Sequence, residues 1–354
     1  LRDGRLLVAG RSCPPHYGYS PRVFARAAEF AEDTIYVIGG LYGNAFALDA
    51  IENLSKQEPV RPRLIFNGDF HWFDAEPDLY SEIHSRVIGT LDHAADGRLS
   101  DTAVALGAPS EAVLALRGNV ETEIANDDPA AGCGCAYPES VPDDDVERSN
   151  AILERLRKVS RSLSSDADAL TLLHNQLPMH AVAQVGGARI AIVHGDAWSL
   201  AGWRFAHDAL HDPENEAMLT TAFDQAAVDG FACSHTCAPA LKVLGDRFVI
   251  NNGAAGMANF EDTTHGVITR VSTHPLPRAI ARSRLYGIQH DGVFVEALRV
   301  DFDFEAWLQR FDAMWSAASP AAISYRRRIA KGPRFTLAQA LVTATNTSSC
   351  AAVV

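Results

Sequence analysis

Four residues of types that bind divalent metals stand just past short apolar runs of this chain. They are Asp69 in Asn67-Gly68-Asp69, Asn119 in Arg117-Gly118-Asn119, His194 in Val193-His194-Gly195-Asp196, and His235 in Cys233-Ser234-His235-Thr236-Cys237. Carboxylate, imidazole and amide-oxygen donors gathered from separate loops are what a hard or borderline divalent cation requires. One Gly-Asp or His-Gly after a strand is ordinarily a capped turn; four in order, at successive strand ends, point to a shared metal site. A cation held there would act as a Lewis acid and lower the pKa of a bound water. His71 and Asp74 follow Asp69 closely enough to serve in proton transfer, with a surface histidine and carboxylate as the plainer reading. Asp196 is expected to orient His194 or to cap the following turn. Arg117 is either a partner for an anionic substrate or an outward-facing arginine at a strand end.

The elements that must position these residues are legible in part. Thr34-Ile-Tyr-Val-Ile-Gly39 is a short β-branched run and reads as a buried strand; Gly43-Asn44 then opens a helix whose apolar face can be drawn through Phe46, Ala50, Ile51 and Leu54. The same strand-then-glycine pattern returns at Arg63–Gly68, Ala112–Gly118 and Arg189–Gly195. Strands alternating with helices imply an α/β domain with its site at the strand C-terminal ends. After Gly253, the runs Gly266–Val271 and Val293–Val300 suggest a second, more antiparallel sheet. The stretch from Ile124 to His180, rich in Asp, Pro and Gly before a helical pattern at Ile152, Leu153, Leu156, Val159 and Leu163, reads as an insertion beside the site. An amphipathic helix through Phe304, Trp307, Leu308, Phe311 and Trp315 leads to a basic cluster at Arg326, Arg327 and Arg328 and a tail expected to be mobile after Leu341. The basic cluster reads as a solvated face or partner contact, with anion binding a lesser option. Asp143-Asp144-Asp145 reads as a solvated helix start rather than a cation site.

From about Thr34 to Gly253, roughly two-thirds of the chain, the order and spacing of these motifs resemble those of the calcineurin-like metallophosphoesterases. That family carries Asp-x-His, Gly-Asp, Gly-Asn-His, a lone His and Gly-His-x-His. The resemblance implies a four-layer α/β/β/α sandwich, with Asp69, Asn119, His194 and His235 at the positions that bind one metal and Asp69 the ligand that normally bridges to a second. The departures fall on the other metal alone. Gly40-Leu41-Tyr42 stands where the family has Asp-x-His, Val120 followed by Glu121 replaces the His of Gly-Asn-His, and Cys237 replaces the second His of Gly-His-x-His. One divalent metal per chain is therefore expected, Mn, Fe or Zn, with a second possible only if Cys237 contributes. In the mononuclear form Tyr42 would donate a hydrogen bond to a phosphoryl oxygen, and the amides of Gly43-Asn44 would add donors at a helix N-terminus. In a rebuilt form, thiolates from Cys237 and the Gly132-Cys133-Gly134-Cys135 loop would favour a softer ion. The plainer reading leaves Cys133, Cys135 and Cys233 in the core.

The expected activity is hydrolysis of a small phosphorylated substrate by a metal-activated water at this reduced site, with Tyr42 and His71 as catalytic candidates. The alternatives are a pseudoenzyme that binds a ligand or partner in the old cleft, and a thiolate-metal or redox sensor. The chain has 354 residues, 47% of them hydrophobic, enough for a substantial core. We expect a metallophosphoesterase-like domain over 1–302, with a helical insertion at about 124–180, and a helical extension over 303–354. A net charge of −13 and a pI near 5.4, without a basic stripe, argue against nucleic acid as a partner. No apolar run of signal-peptide or membrane-spanning length is present, so a cytoplasmic protein without membrane association is expected. Six cysteines (Cys13, Cys133, Cys135, Cys233, Cys237, Cys350) in a chain this long do not make a disulfide scaffold.

Overall fold

The structure is a computed structural model and describes residues 9–11, 13–88, 113–126, 130–163 and 176–342. Its first sheet grows from three parallel strands, β2 (Thr34–Ile38), β3 (Arg63–Asn67) and β4 (Val113–Leu116), paired with Val37 opposite Ile65 and Ile65 opposite Leu114. The antiparallel strands β10 (Gly266–Ser272), β11 (Arg284–His290) and β12 (Val293–Val300) extend it in the order β11-β12-β10-β2-β3-β4. The second sheet runs β1-β5-β6-β7-β9-β8-β13. It comprises β1 (Phe30–Glu32), β5 (His180–Val185), β6 (Ala188–Val193), β7 (Gly230–Cys233), β8 (Ala240–Leu244), β9 (Arg247–Asn251) and β13 (Leu341–Val342).

Side-chain alternation makes this a sandwich. Ile35 and Val37 of β2 face Ala183, Ile190 and Ile192 of the second sheet across a shared core, whereas Tyr36 and Ile38 point outward to a helical layer. On the far side, Val182, Ala191 and Val193 pack against helix α6 (Glu216–Ala226) through Leu219 and Phe223. The layers are therefore α/β/β/α, as the motif order implied. The antiparallel runs after Gly253 do not build a sheet of their own: β10 pairs directly with β2, Thr269 opposite Val37, and so continues the parallel sheet.

The helical layer over the first sheet holds α1 (Ala45–Ser55), α2 (Pro77–Val87), α3 (Asn119–Asn126), α4 (Asp143–Leu163), α7 (Phe304–Met314) and α8 (Pro320–Lys331). Asn44 caps α1 by accepting from the Ala47 amide. The buried stripe of α1 is Ala47, Leu48, Ile51 and Ser55; Phe46, Ala50 and Leu54 are only partly covered, so the expected face is rotated. In α7, Trp307 and Phe311 are fully buried, followed by Trp315, whose Nε1 donates to the Phe73 carbonyl at 2.8 Å. A short α5 (His207–His211) precedes α6. The tail beyond Val342, with Cys350, lies outside the described residues, as do 127–129 and 164–175 of the expected insertion. No helix among the described residues is long and apolar enough to cross a membrane.

Candidate metal centre

The strand ends of both sheets meet at one point. Asp69 follows β3, Asn119 starts α3 just after β4, His194 follows β6 and His235 follows β7. Their approach depends on two glycines. A Cβ on Gly68 (φ +77°) would lie 2.5 Å from His194 Nδ1 and 2.6 Å from Gly118 Cα, and one on Gly118 would lie 2.4 Å from Asp69 Oδ1. Asp69 itself adopts a left-handed backbone, φ 54°.

Around His194 Nε2 stand Asn119 Oδ1 at 3.1 Å, His235 Nδ1 at 3.2 Å and Asp69 Oδ1 at 3.4 Å. The other ring nitrogens are committed. His194 Nδ1 lies 2.8 Å from the Asn67 carbonyl and His235 Nε2 lies 3.2 Å from the Cys135 carbonyl. A carbonyl only accepts, so both of these nitrogens carry hydrogens, and Nε2 of His194 and Nδ1 of His235 present lone pairs to each other. Asn119 is fixed in the same sense, its Nδ2 donating to the Cys133 carbonyl at 2.9 Å so that Oδ1 faces inward. Four electron-rich atoms thus converge with a cation or a proton as the only species that reconciles them. The donor set fits a divalent metal, with Asp69, His194 and His235 as a buried ligand group and Asn119 beside it.

The electrostatics agree. Burial opposes a charge on Asp69, but His194 outweighs it and holds the carboxyl below its ordinary value; burial likewise opposes the His194 cation, and Asp69 outweighs it, raising the imidazole. Burial, together with His194, brings His235 down to about 3. Glu121, unremarked beyond its place after Val120, proves to organise the loop: its carboxylate accepts from the amides of Asp69 (2.9 Å), Phe70 (3.1 Å), His71 (3.4 Å) and Gly118 (2.9 Å). The signal available was a carboxylate two residues past Gly-Asn at the first turn of a helix.

The side where a second cation would sit is filled differently. Tyr42 (φ 55°) stands over Gly40, with a Cβ there 3.0 Å from its ring, and its hydroxyl meets Cys237 Sγ at 2.6 Å. Val120 is buried and apolar. Burial pushes the Cys237 thiol and the Tyr42 hydroxyl up, so both stay protonated near neutrality. Among the described residues no second group of three ligands forms, and Cys237 does not join the first. Cys133 and Cys135 act through their backbone carbonyls, while the Cys135 thiol, raised by burial, lies 3.4 Å from Asn119 Nδ2. Cys233 is core.

Several expectations are corrected. The amides of Gly43 and Asn44 are already taken, donating to the Phe70 and Leu41 carbonyls at 2.7 and 3.1 Å, and have nothing left for a substrate. His71 and Asp74 are not at the surface. Both are fully buried, with His71 Nδ1 2.5 Å from Asp74 Oδ2 and the ring stacked on Tyr80, and the cavity beside the ligands is lined without them. Of the two roles expected of Asp196, the structure shows the cap: its carboxylate accepts from the amides of Trp198, Ser199 and Arg204. Arg117 does not line the cavity. The cavity, about 160 Å³, is walled by Trp72, Tyr137, Trp203 and Tyr325, with Tyr42 and Arg328 at its edge, residues that only the folded arrangement brings together.

Comparison with known proteins gives the family and the fold. Residues 63–274 match the sequence model of the calcineurin-like phosphoesterase superfamily domain. A hypothetical protein from Pyrococcus horikoshii OT3 has a similar structure, with a TM-score of 0.53 at 17% identity, over 85% of this chain and 99% of that one. A metallophosphoesterase from Sphaerobacter thermophilus superposes with a TM-score of 0.45 at 16% identity, over 85% of this chain and 100% of its own. No curated protein matches the chain in sequence.

Proposed function

The chain belongs to the calcineurin-like phosphoesterase superfamily, and from that membership we propose that it hydrolyses a small phosphorylated substrate at a site holding one divalent metal. The observation that supports this reading is the convergence of Asp69, Asn119 and His235 on His194 Nε2 within 3.1–3.4 Å, with every other polar atom of both imidazoles committed. Bound there, a divalent cation supplies Lewis acidity toward a phosphoryl oxygen and acidifies a water. The chain's own residues do the rest. Asn67 and Cys135 hold the two imidazoles in the tautomers that leave their lone pairs inward. Tyr42, kept neutral by burial, has its hydroxyl on Cys237 Sγ, whose own proton reaches the His235 carbonyl, and would serve a phosphoryl oxygen on turning from that sulfur. The rings of Trp72, Trp203 and Tyr325 line the cavity and lower the local polarity, which strengthens these interactions.

A second reading, a protein that binds a phosphorylated ligand or a partner in the cleft without turnover, is favoured by the Tyr42–Cys237 hydrogen bond where further ligands would be needed. Elemental analysis and hydrolysis of an aryl phosphate and an aryl phosphodiester decide between them. The expected result is about one divalent metal per chain, lost in His194→Ala, and turnover that falls by about a hundredfold or more in Asn119→Ala and His235→Ala. Metal binding without turnover on any ester would establish the binding protein.

A further inference from the structure

Two residues of the cavity beside the ligand cluster, Tyr325 and Arg328, come from helix α8, which lies beyond the residues matched by the superfamily domain. Arg328 of that helix lines two cavities at once. The second, about 310 Å³, shares Trp203, Thr236, Cys237 and Arg328 with the first and is closed further out by Phe335. The guanidinium is anchored from one side, Nη2 donating to the Cys237 carbonyl at 2.5 Å and Nε reaching the Ala258 carbonyl at 3.5 Å. A guanidinium has five N–H donors, so much of the fork is left for something else. Among the described residues no carboxylate pairs with it, although the chain carries 44 Asp and Glu; Arg326, two residues earlier, is gripped by both oxygens of Asp312.

We propose that Arg328 seats the phosphoryl group of the substrate against the Asp69–Asn119–His194–His235 cluster, with the organic group of the ester in the second cavity between Trp203 and Phe335. The proposal rests on the phosphoesterase reading for the identity of the anion. A planar fork matches two phosphoryl oxygens where a point charge cannot, and in an acidic protein a local cation of this kind helps to admit a phosphate. Trp203, Pro333 and Phe335, which line the second cavity beside the polar His207, Asp208 and Asn259, favour an aromatic or otherwise planar ester.

Titration calorimetry on the full chain, with inorganic phosphate and with phenylphosphonate, whose C–P bond is not hydrolysed, tests this. Wild type is expected to bind both, phenylphosphonate more tightly, and Arg328→Gln to weaken both by about tenfold to a hundredfold, the size of a lost charged hydrogen bond. Arg328→Lys, which keeps charge without the fork, should lose severalfold. Arg326→Gln should bind as wild type, and metal content should be the same in all. Unchanged phosphate affinity in Arg328→Gln, or no saturable binding by wild type, overturns the proposal; if Arg328→Gln does not fold, wild-type affinity in Arg328→Lys overturns it instead. Arg328-dependent phosphate binding without hydrolysis of any ester keeps the subsite and removes the phosphoesterase reading. Hydrolysis with an unchanged KM in Arg328→Gln does the reverse.

Discussion

Glu121 shows how a single residue can govern a site it does not line. Its buried carboxylate gathers four amides from two loops, and those loops carry Asp69 and Asn119. Burial raises the Glu121 carboxyl, with Asp69 adding to the effect, so the amides are what keep an acceptor in place there. Glu121→Gln turns an NH₂ group toward N–H donors and leaves at least one buried amide unanswered, a cost of about 1–3 kcal/mol. Residues that orient metal ligands typically shift affinity tenfold to a hundredfold. We therefore expect Glu121→Gln to lower Tm by several degrees and to weaken metal affinity about tenfold, read by thermal melting and a competitive chelator titration. A variant that melts earlier but holds metal as tightly as wild type would confine Glu121 to stability.

At the scale of elements, the loop Gly132–Cys135 does for His235 and Asn119 what Glu121 does for Asp69. Its two carbonyls accept from Asn119 Nδ2 and His235 Nε2, and Trp203 Nε1 donates to the second at 2.9 Å. The loop needs Gly134, at φ +66°, because a Cβ there would stand 2.3 Å from the Tyr17 hydroxyl, itself bonded to Glu123 at 2.7 Å. Gly134→Ala should push the Cys135 carbonyl off His235 and reduce bound metal well below one per chain by elemental analysis, with the far-UV circular dichroism unchanged; full metal occupancy would show that His235 is held without this loop. The sequence pointed to Cys133 and Cys135 for their sulfur, because a side chain is visible in a sequence and a backbone carbonyl's direction is not. The strands β2, β3 and β6 were legible because buried strands are written locally, as β-branched runs ending in glycine. Which sheet β10 joins was not, since Thr269 meets Val37 only through pairing between segments far apart in the chain. The same distance hid Arg328: in the sequence it is one of three arginines on a helix, and only the packing of α8 over the site singles it out.

For the molecule as a whole, the buried His84 and the half-buried His180 and His265 are expected to contribute to the response to acid. Burial, with His71 adjacent, brings His84 down to about 3, and burial brings His180 and His265 to about 4, against an ordinary value of 6.5 in the unfolded chain. A histidine whose folded pKa is depressed binds its proton more readily when unfolded. Its contribution is therefore fully present above about 6.5 and is withdrawn progressively as pH falls from there toward 3 or 4. The buried carboxyls of Glu121, Asp196 and Glu296, all raised by burial, act in the opposite sense, since their folded state takes up protons first. A comparison with one histidine removed cancels those shared terms. His84 is 3% exposed and stacks in line with Tyr80 and His71, so an aromatic ring of similar shape fits its place. Each unit of separation is worth about 1.4 kcal/mol, and His84 alone should withdraw on the order of 4 kcal/mol between pH 6.5 and 3. Wild type is thus expected to lose stability relative to His84→Phe across that window, with urea unfolding at pH 7 and pH 5 showing a gap that moves in favour of the variant by about 2 kcal/mol. Parallel stability curves would mean that His84 takes up its proton in the folded core as easily as in water, and that the acid response belongs to other groups, His180 and His265 among them.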